Sequence, residues 1–120
     1  MDLKKPYNEK MNEAADRHTP VDILRALAKD PDSWVRNRTA NNPNIPQDSL
    51  RELVKDEDKW VRTFVAKNPN SSSTILVMLF EYEKSFKKPS KYVIKTLYEN
   101  TKLPEFIKRV IETLFGKWVL

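Results

Sequence analysis

Residues 30–44 read DPDSWVRNRTANNPN, and residues 56–70 read DEDKWVRTFVAKNPN. At one spacing of 26 positions the two stretches share Asp30/Asp56, the triplet Trp34-Val35-Arg36/Trp60-Val61-Arg62, Ala40/Ala66 and Asn42-Pro43-Asn44/Asn68-Pro69-Asn70. The match extends upstream through Pro20/Pro46, Leu24/Leu50 and Leu27/Leu53. A fixed period in this range marks supersecondary units that stack because none can bury its apolar face alone.

Each unit reads as two short helices. Thr19 is placed to cap the first through its hydroxyl, Pro20 suits the first helical position, and Asp22 completes a spacing like that of a capping box. Ile23, Leu24 and Leu27 form one apolar stripe. Asp30 or Asp32 opens the second helix, and Asn42-Pro43 closes it, since asparagine tolerates the left-handed conformation and proline cannot extend a helix. Gln47, Leu50, Leu53, Asp56 and Asn68-Pro69 repeat the arrangement.

The third unit starts in the same way, with Ser71–Ser73 as a cap cluster and Ile75, Leu76 and Leu79 on a stripe. Asn68 then maps to Asn100 only at an offset of 32, so about six residues are inserted around the loop Lys87–Lys91. A last helix is expected from Pro104 to a stop at Gly116, followed by KWVL, which either folds back as a lid, the favoured reading, or offers a sticky edge. The organisation expected is a single domain, residues 1–120. It comprises an amino-terminal cap (1–18), repeat 1 (19–44), repeat 2 (45–70), and a degenerate repeat with a carboxy-terminal cap (71–120).

Composition agrees with an all-α chain. The 120 residues are 39% apolar and 32% charged, enough for one core under a highly charged exterior. A single glycine argues against a sheet built from tight hairpins. The absence of cysteine excludes disulfides, thiolate metal sites, iron–sulfur clusters and a cysteine nucleophile. The amino-terminal residues lack the apolar core of a signal peptide, and no run approaches the ~20 apolar residues of a membrane span. The compartment expected is therefore the cytoplasm.

The phrase TPVDILRALAKDPDSWVRNRTANNPNIPQDSL, residues 19–50, resembles the variant leucine-rich repeat (LRV). That pattern has a Thr-Pro start, paired leucines, an Asp, Val-Arg, an Ala and then Asn-Pro. It is also similar to HEAT repeats, in which an Asp six residues before an Arg follows the first helix, a spacing kept by Asp30/Arg36 and Asp56/Arg62. The resemblance is clear over residues 19–70 and continues in degenerate form to about residue 115. It implies a short right-handed α-solenoid of paired helices. Some proteins of the LRV family carry an iron–sulfur cluster on an attached cysteine-rich segment; that segment is missing, so no cofactor carries over.

A helical wheel centred on Val35, stepping about 100° per residue, puts Trp34 and Trp60 on one flank of the seam and Arg36 and Arg62 on the other. Two readings of the tryptophans follow. In the first, favoured here, Asp30, Trp34, Arg36, Asp56, Trp60 and Arg62 form a structural ladder between units, with Trp60 packing on Phe64 and Trp34 beneath Arg38. In the second, the indoles stack bases or anchor a peptide.

Candidate chemistry is sparse. His18 is the only histidine and sits in a connecting loop, so no metal site with two histidines can form. The DPD and DED carboxylates sit at helix starts, where negative charge favours the dipole. No nucleotide loop, nucleophile elbow or metalloprotease motif occurs. The expected function is a non-catalytic module holding a protein or peptide on second-helix side chains Asn37, Arg38, Asn41, Thr63 and Lys67, with no small-molecule substrate, metal or membrane partner.

The rival is a nucleic-acid binder. Net charge is +5, and residues 81–120 hold 9 Lys or Arg against 5 Asp or Glu. Lys84, Lys87, Lys88, Lys91 and Lys95, with Phe86 and Tyr92 interleaved, are its expected contacts.

Overall fold

Local chemistry at the helix starts sets the register of the chain. Asp32 accepts from the backbone amides of Trp34 and Val35, Asp58 from Trp60, and Ser90 from Val93, so each second helix begins on a side-chain cap. The first helices begin differently. Pro20, Pro46 and Pro104 stand at the boundary with extended ψ values and no side-chain cap, whereas Ser72 caps through Ile75. In this computed structural model residues 5–120 are described, and eight helices are found among them. They are α1 (Tyr7–Ala15), α2 (Val21–Leu27), α3 (Ser33–Ala40), α4 (Gln47–Leu53), α5 (Lys59–Lys67), α6 (Ser73–Lys84), α7 (Lys91–Glu99) and α8 (Glu105–Val119).

Two capping expectations are corrected. Pro20 itself is the boundary residue of α2, and the Thr19 hydroxyl donates to the Glu13 carbonyl at 2.6 Å instead of capping. Thr19 is buried there, so its hydroxyl ties the loop to the end of α1. Asn42 and Asn68 do not adopt the left-handed conformation; no non-glycine residue among those described has positive φ.

The helices form two layers. α3 packs against α1 and α5, α5 against α7, and α7 against α8, while α2, α4 and α6 cover one side. Five helices stacked at the usual 8–10 Å separation, plus one helix diameter, give roughly 42–50 Å. The observed extents of 48 × 24 × 19 Å match that stack. The architecture is an all-α, repeat-like stack. Equivalent positions supply the core in every unit: Leu24/Leu50/Leu76, Leu27/Leu53/Leu79 and Val35/Val61/Val93 are all buried.

Register explains both ends of the described chain. Lys10 and Ala14 lie 26 positions before Arg36 and Ala40, which gives α1 the register of a second helix. Asn100, Leu103 and Pro104 stand where Asn42, Ile45 and Pro46 stand earlier, so α8 begins as a fourth first helix. The expected stop at Gly116 is met by a break one residue earlier: Phe115 (φ −133°, ψ 28°) leaves helical geometry, and a second helical stretch then carries α8 on to Val119. Phe115 then stacks on Trp118, with ring centroids 5.1 Å apart and planes 12° apart. Trp118 and Val119 are half-buried against the core, and Lys117 and Leu120 are open to solvent.

Two side-chain ladders cross the seams. The first is made of asparagines. Asn42 Nδ2 donates to the carbonyls of Ala14 and Asp16, both at 2.9 Å. Asn68 Nδ2 donates to Ala40 at 2.7 Å and Asn42 at 2.9 Å, and Asn100 Nδ2 donates to Ala66 at 2.8 Å. Each Oδ1 accepts the amide two residues on, from Asn44, Asn70 and Lys102. One side chain thereby closes its own loop and satisfies the last carbonyls of the preceding unit's second helix, which a helix end otherwise leaves unpaired.

The second ladder is ionic. Arg36 forms a bidentate pair with Asp56 (Nε–Oδ2 2.8 Å, Nη2–Oδ1 3.2 Å) and donates from Nη1 to the Asp30 carbonyl at 2.9 Å. Arg62 repeats this with Glu83 (2.8 and 3.3 Å) and the Asp56 carbonyl at 2.8 Å. Lys10 supplies the first rung, 2.8 Å from Asp30. Asp30 and Asp56 also accept the amides of the cap residues Asp32 and Asp58. In the third unit the insertion lengthens α6 to 12 residues, and Glu83 on its last turn accepts the amide of the cap residue Ser90 at 2.8 Å. The longer acid on a longer helix does the work that a loop aspartate does elsewhere. The ladder ends at Ile94, which occupies the arginine position on α7 and is buried.

Candidate functional site

A second helix in this stack touches a neighbour on each side and a first helix behind, leaving one narrow strip in solvent. On α3 that strip is Trp34, Arg38 and Asn41, at the i, i+4, i+7 spacing of one helix face. On α5 it is Trp60, Thr63, Phe64 and Lys67, and on α7 it is Tyr92, Lys95, Thr96 and Glu99. The first residue of each strip is aromatic and open: Trp34 is 64% exposed, Trp60 41% and Tyr92 45%.

The expected tryptophan contacts are corrected. Trp60 packs on Tyr92, with ring centroids 4.9 Å apart at 44°, and not on Phe64. Trp34 forms no ring or cation contact among the described residues and does not lie beneath Arg38. Within each triplet the valine and the arginine enter the seam; Trp34 stands clear of it, whereas Trp60 bridges the rim of the α5–α7 junction through Tyr92.

Lysines surround this row. Lys59 Nζ lies 5.3 Å from the Trp60 ring centroid and 5.6 Å from that of Tyr92, and Lys91 lies 5.5 Å from Tyr92. Lys67 lies 5.9 Å from Phe64. Two shallow depressions meet at Lys91 and Tyr92. One, of about 360 Å³, is also lined by Glu57, Lys59, Arg62, Phe86 and Lys88. The other, of about 320 Å³, is completed by Lys95, Lys117 and Trp118. A separate apolar pocket of about 210 Å³ between α1 and α2 lies beside the Lys10–Asp30 pair. It is smaller than the ~300 Å³ usual for ligand pockets.

The charges of the two layers differ. On the first-helix side Arg25 pairs with Asp22 and Asp48, Lys29 with Glu52, and Lys84 with Glu81. The Arg25 guanidinium holds the Asp48 carboxyl below its ordinary range. On and beside the strip, Arg38, Lys59, Lys67, Lys91, Lys95 and Lys117 form no ion pair among the described residues. α3 and α5 contain no acidic residue, and Glu99 is the single acid of α7. In the seam, the hydrogen bond that Arg36 donates to the Asp56 carboxylate raises its guanidinium above its already high value, against the opposing effect of burial. The Tyr98 phenol is raised because it donates to the Glu112 carboxylate.

The candidate residues divide as follows. Arg38, Asn41 and Lys67 are exposed on the strip and Thr63 is half-buried at its edge, but Asn37 is 9% exposed and is not available as a contact. Of the candidate nucleic-acid lysines, Lys88 and Lys91 line the first depression and Lys91 and Lys95 the second. Lys84 is paired with Glu81 on α6, and Lys87 is exposed but lines neither depression. Lys59, Lys117 and Trp118 were not anticipated. Tyr92 as the third member of the row was legible in principle, because the offset that maps Asn68 onto Asn100 also maps Trp60 onto Tyr92.

No group of three or more His, Asp or Glu side chains able to hold a metal occurs among the described residues. No helix among them is long and apolar enough to cross a membrane. Comparisons with protein-family models, with curated proteins and with solved structures find no match.

Proposed function

We propose that this chain is a non-catalytic interaction module that holds a protein or peptide on the exposed strip of its second helices, in the cytoplasm. The observation that carries the reading is the open aromatic row Trp34, Trp60 and Tyr92, set in register by three successive units. Exposed tryptophan and tyrosine are costly to leave in water and are enriched where partners dock. The Asp–Arg rungs support, as part of the same proposal, kinship with the LRV and HEAT-like repeats that residues 19–70 resemble. The uncompensated lysines beside the row favour a second reading, a nucleic-acid binder using Lys88, Lys91 and Lys95.

Affinity capture from extract of the native cell, treated with nuclease, tests the first reading. Three baits are compared: the wild type, Trp34→Ala/Trp60→Ala, and the first-helix variant Arg51→Glu/Lys55→Glu. A protein retained by the first and third baits and lost from the second is expected. Identical captured sets on all three baits contradict the proposal.

A further inference from the structure

We infer that the second-helix strip recognises an acidic peptide lying extended across α3, α5 and α7, with its carboxylates on the strip lysines and an apolar side chain on Trp34. This rests on the interaction-module reading and adds the chemistry of the partner.

Charge complementarity is the first argument. Six cations on and beside this face form no ion pair among the described residues, and Glu99 is the single acid of α3, α5 and α7. On α2, α4, α6 and the residues that end them, Arg25, Lys29, Arg51, Lys55 and Lys84 are offset by Asp22, Asp48, Glu52 and Glu81, with Arg25, Lys29 and Lys84 ion-paired. A fold that neutralises one side and leaves the other positive keeps its field for an external anion. Geometry is the second. Successive second helices stand roughly 8–10 Å apart, and an extended chain advances about 3.3 Å per residue. About three peptide residues therefore pass each unit, and in a polyproline II conformation, with three residues per turn at about 3.1 Å each, every third side chain returns to the same face and meets one strip cation per unit.

The aromatic faces decide between anions. Base stacking needs open ring faces. Lys59 stands over both Trp60 and Tyr92, Lys91 stands over Tyr92, and those two rings also pack on each other. What they present outward is ammonium groups held in place by ring contacts, which suits carboxylates. Trp34 alone keeps free faces, and one open indole makes an anchor for an apolar side chain, not a stacking platform for a strand of bases.

Fluorescence anisotropy on the full chain tests this with three labelled probes. They are a peptide of about twelve Asp, Glu and Leu residues, roughly 40 Å long when extended; its Asn, Gln and Leu counterpart; and an oligothymidylate of similar length. The acidic peptide is expected to bind at least about tenfold tighter than either other probe. It should weaken as salt rises from about 50 to about 300 mM, because exposed charges are screened. Lys59→Glu/Lys91→Glu and Trp34→Ala should each lose about tenfold or more, and Arg51→Glu/Lys55→Glu should change nothing. Circular dichroism melts confirm that each variant is folded.

Equal binding of the acidic and neutral peptides, lost with Trp34→Ala, overturns the inference and leaves the interaction module standing. Tighter binding of the oligothymidylate overturns both. No measurable binding of the acidic peptide by the folded wild type overturns the inference.

Discussion

The seam between units and the strip beside it are made from the same triplet and obey opposite rules. In the seam every polar group has a partner: Arg62 meets Glu83 and the Asp56 carbonyl, Asn68 meets two carbonyls and one amide, and no buried side-chain nitrogen or oxygen among the described residues lacks a hydrogen bond. On the strip, one residue away in sequence, Trp34 has no ring or cation contact, and six cations on and beside it form no ion pair among the described residues. The difference teaches that a repeated motif need not have one purpose. Neighbouring positions on a helix point about 100° apart, so Trp and Arg separated by a valine serve different surfaces. Substitutions in the seam should therefore act on stability, and substitutions on the strip should act on binding.

Glu83→Ala gives the largest expected effect. It leaves Arg62 almost fully buried without a counter-charge, and breaking such a pair costs about 3–5 kcal/mol. Urea unfolding followed by tryptophan fluorescence measures it. The double substitution Arg62→Met/Glu83→Leu should recover most of the loss, since a packed apolar pair stands in for a buried ionic one. If the double variant is as unstable as Glu83→Ala, the Ser90 amide is the contact that matters and the ladder is secondary.

Asn68→Ala comes next, at about 2–3 kcal/mol, because two buried carbonyls and one amide lose their partner together. Hydrogen exchange sharpens the comparison. Faster exchange should appear on both sides of the α3–α5 seam, at Asn70 and in the last turn of α3. A change confined to the loop after Asn68 would mean that the asparagine closes a turn without joining units.

Much of the seam was legible in the sequence. The 26-residue register, the buried leucine and valine positions and the Asp–Arg spacing all follow from laying residues 30–44 over 56–70. The asparagine role was not legible. A turn-closing Asn-Pro accounts for Asn42 and Asn68 locally, and only the folded stack brings the Ala14 and Ala40 carbonyls within reach of their amides. Glu83 was hidden for a related reason. The insertion moves the acid out of the 26-residue spacing and onto α6, where it looks like any surface glutamate until Arg62 lies opposite.

On the strip, the wheel placed Trp34 beside the seam but assumed one buried side for each second helix. α3 is packed by α1, α2 and α5 together, so the exposed arc shrinks to Trp34, Arg38 and Asn41. Asn37, turned only about 60° from Trp34, falls inside the packed surface. Trp118 could not be read from the sequence at all, since its place beside Lys91 and Tyr92 depends on the bend at Phe115.

The division of labour within the triplet is the central claim, and two substitutions two residues apart test it most directly. Urea unfolding of Arg36→Ala and Trp34→Ala, measured side by side, should show a loss of about 1.5–3 kcal/mol for the arginine, whose removal strips Asp56 and the Asp30 carbonyl of their donors. The tryptophan should cost no more than about 0.5 kcal/mol, as an exposed side chain without partners does. Equal losses, or a larger one for Trp34→Ala, would contradict the assignment of arginine to the seam and tryptophan to the partner.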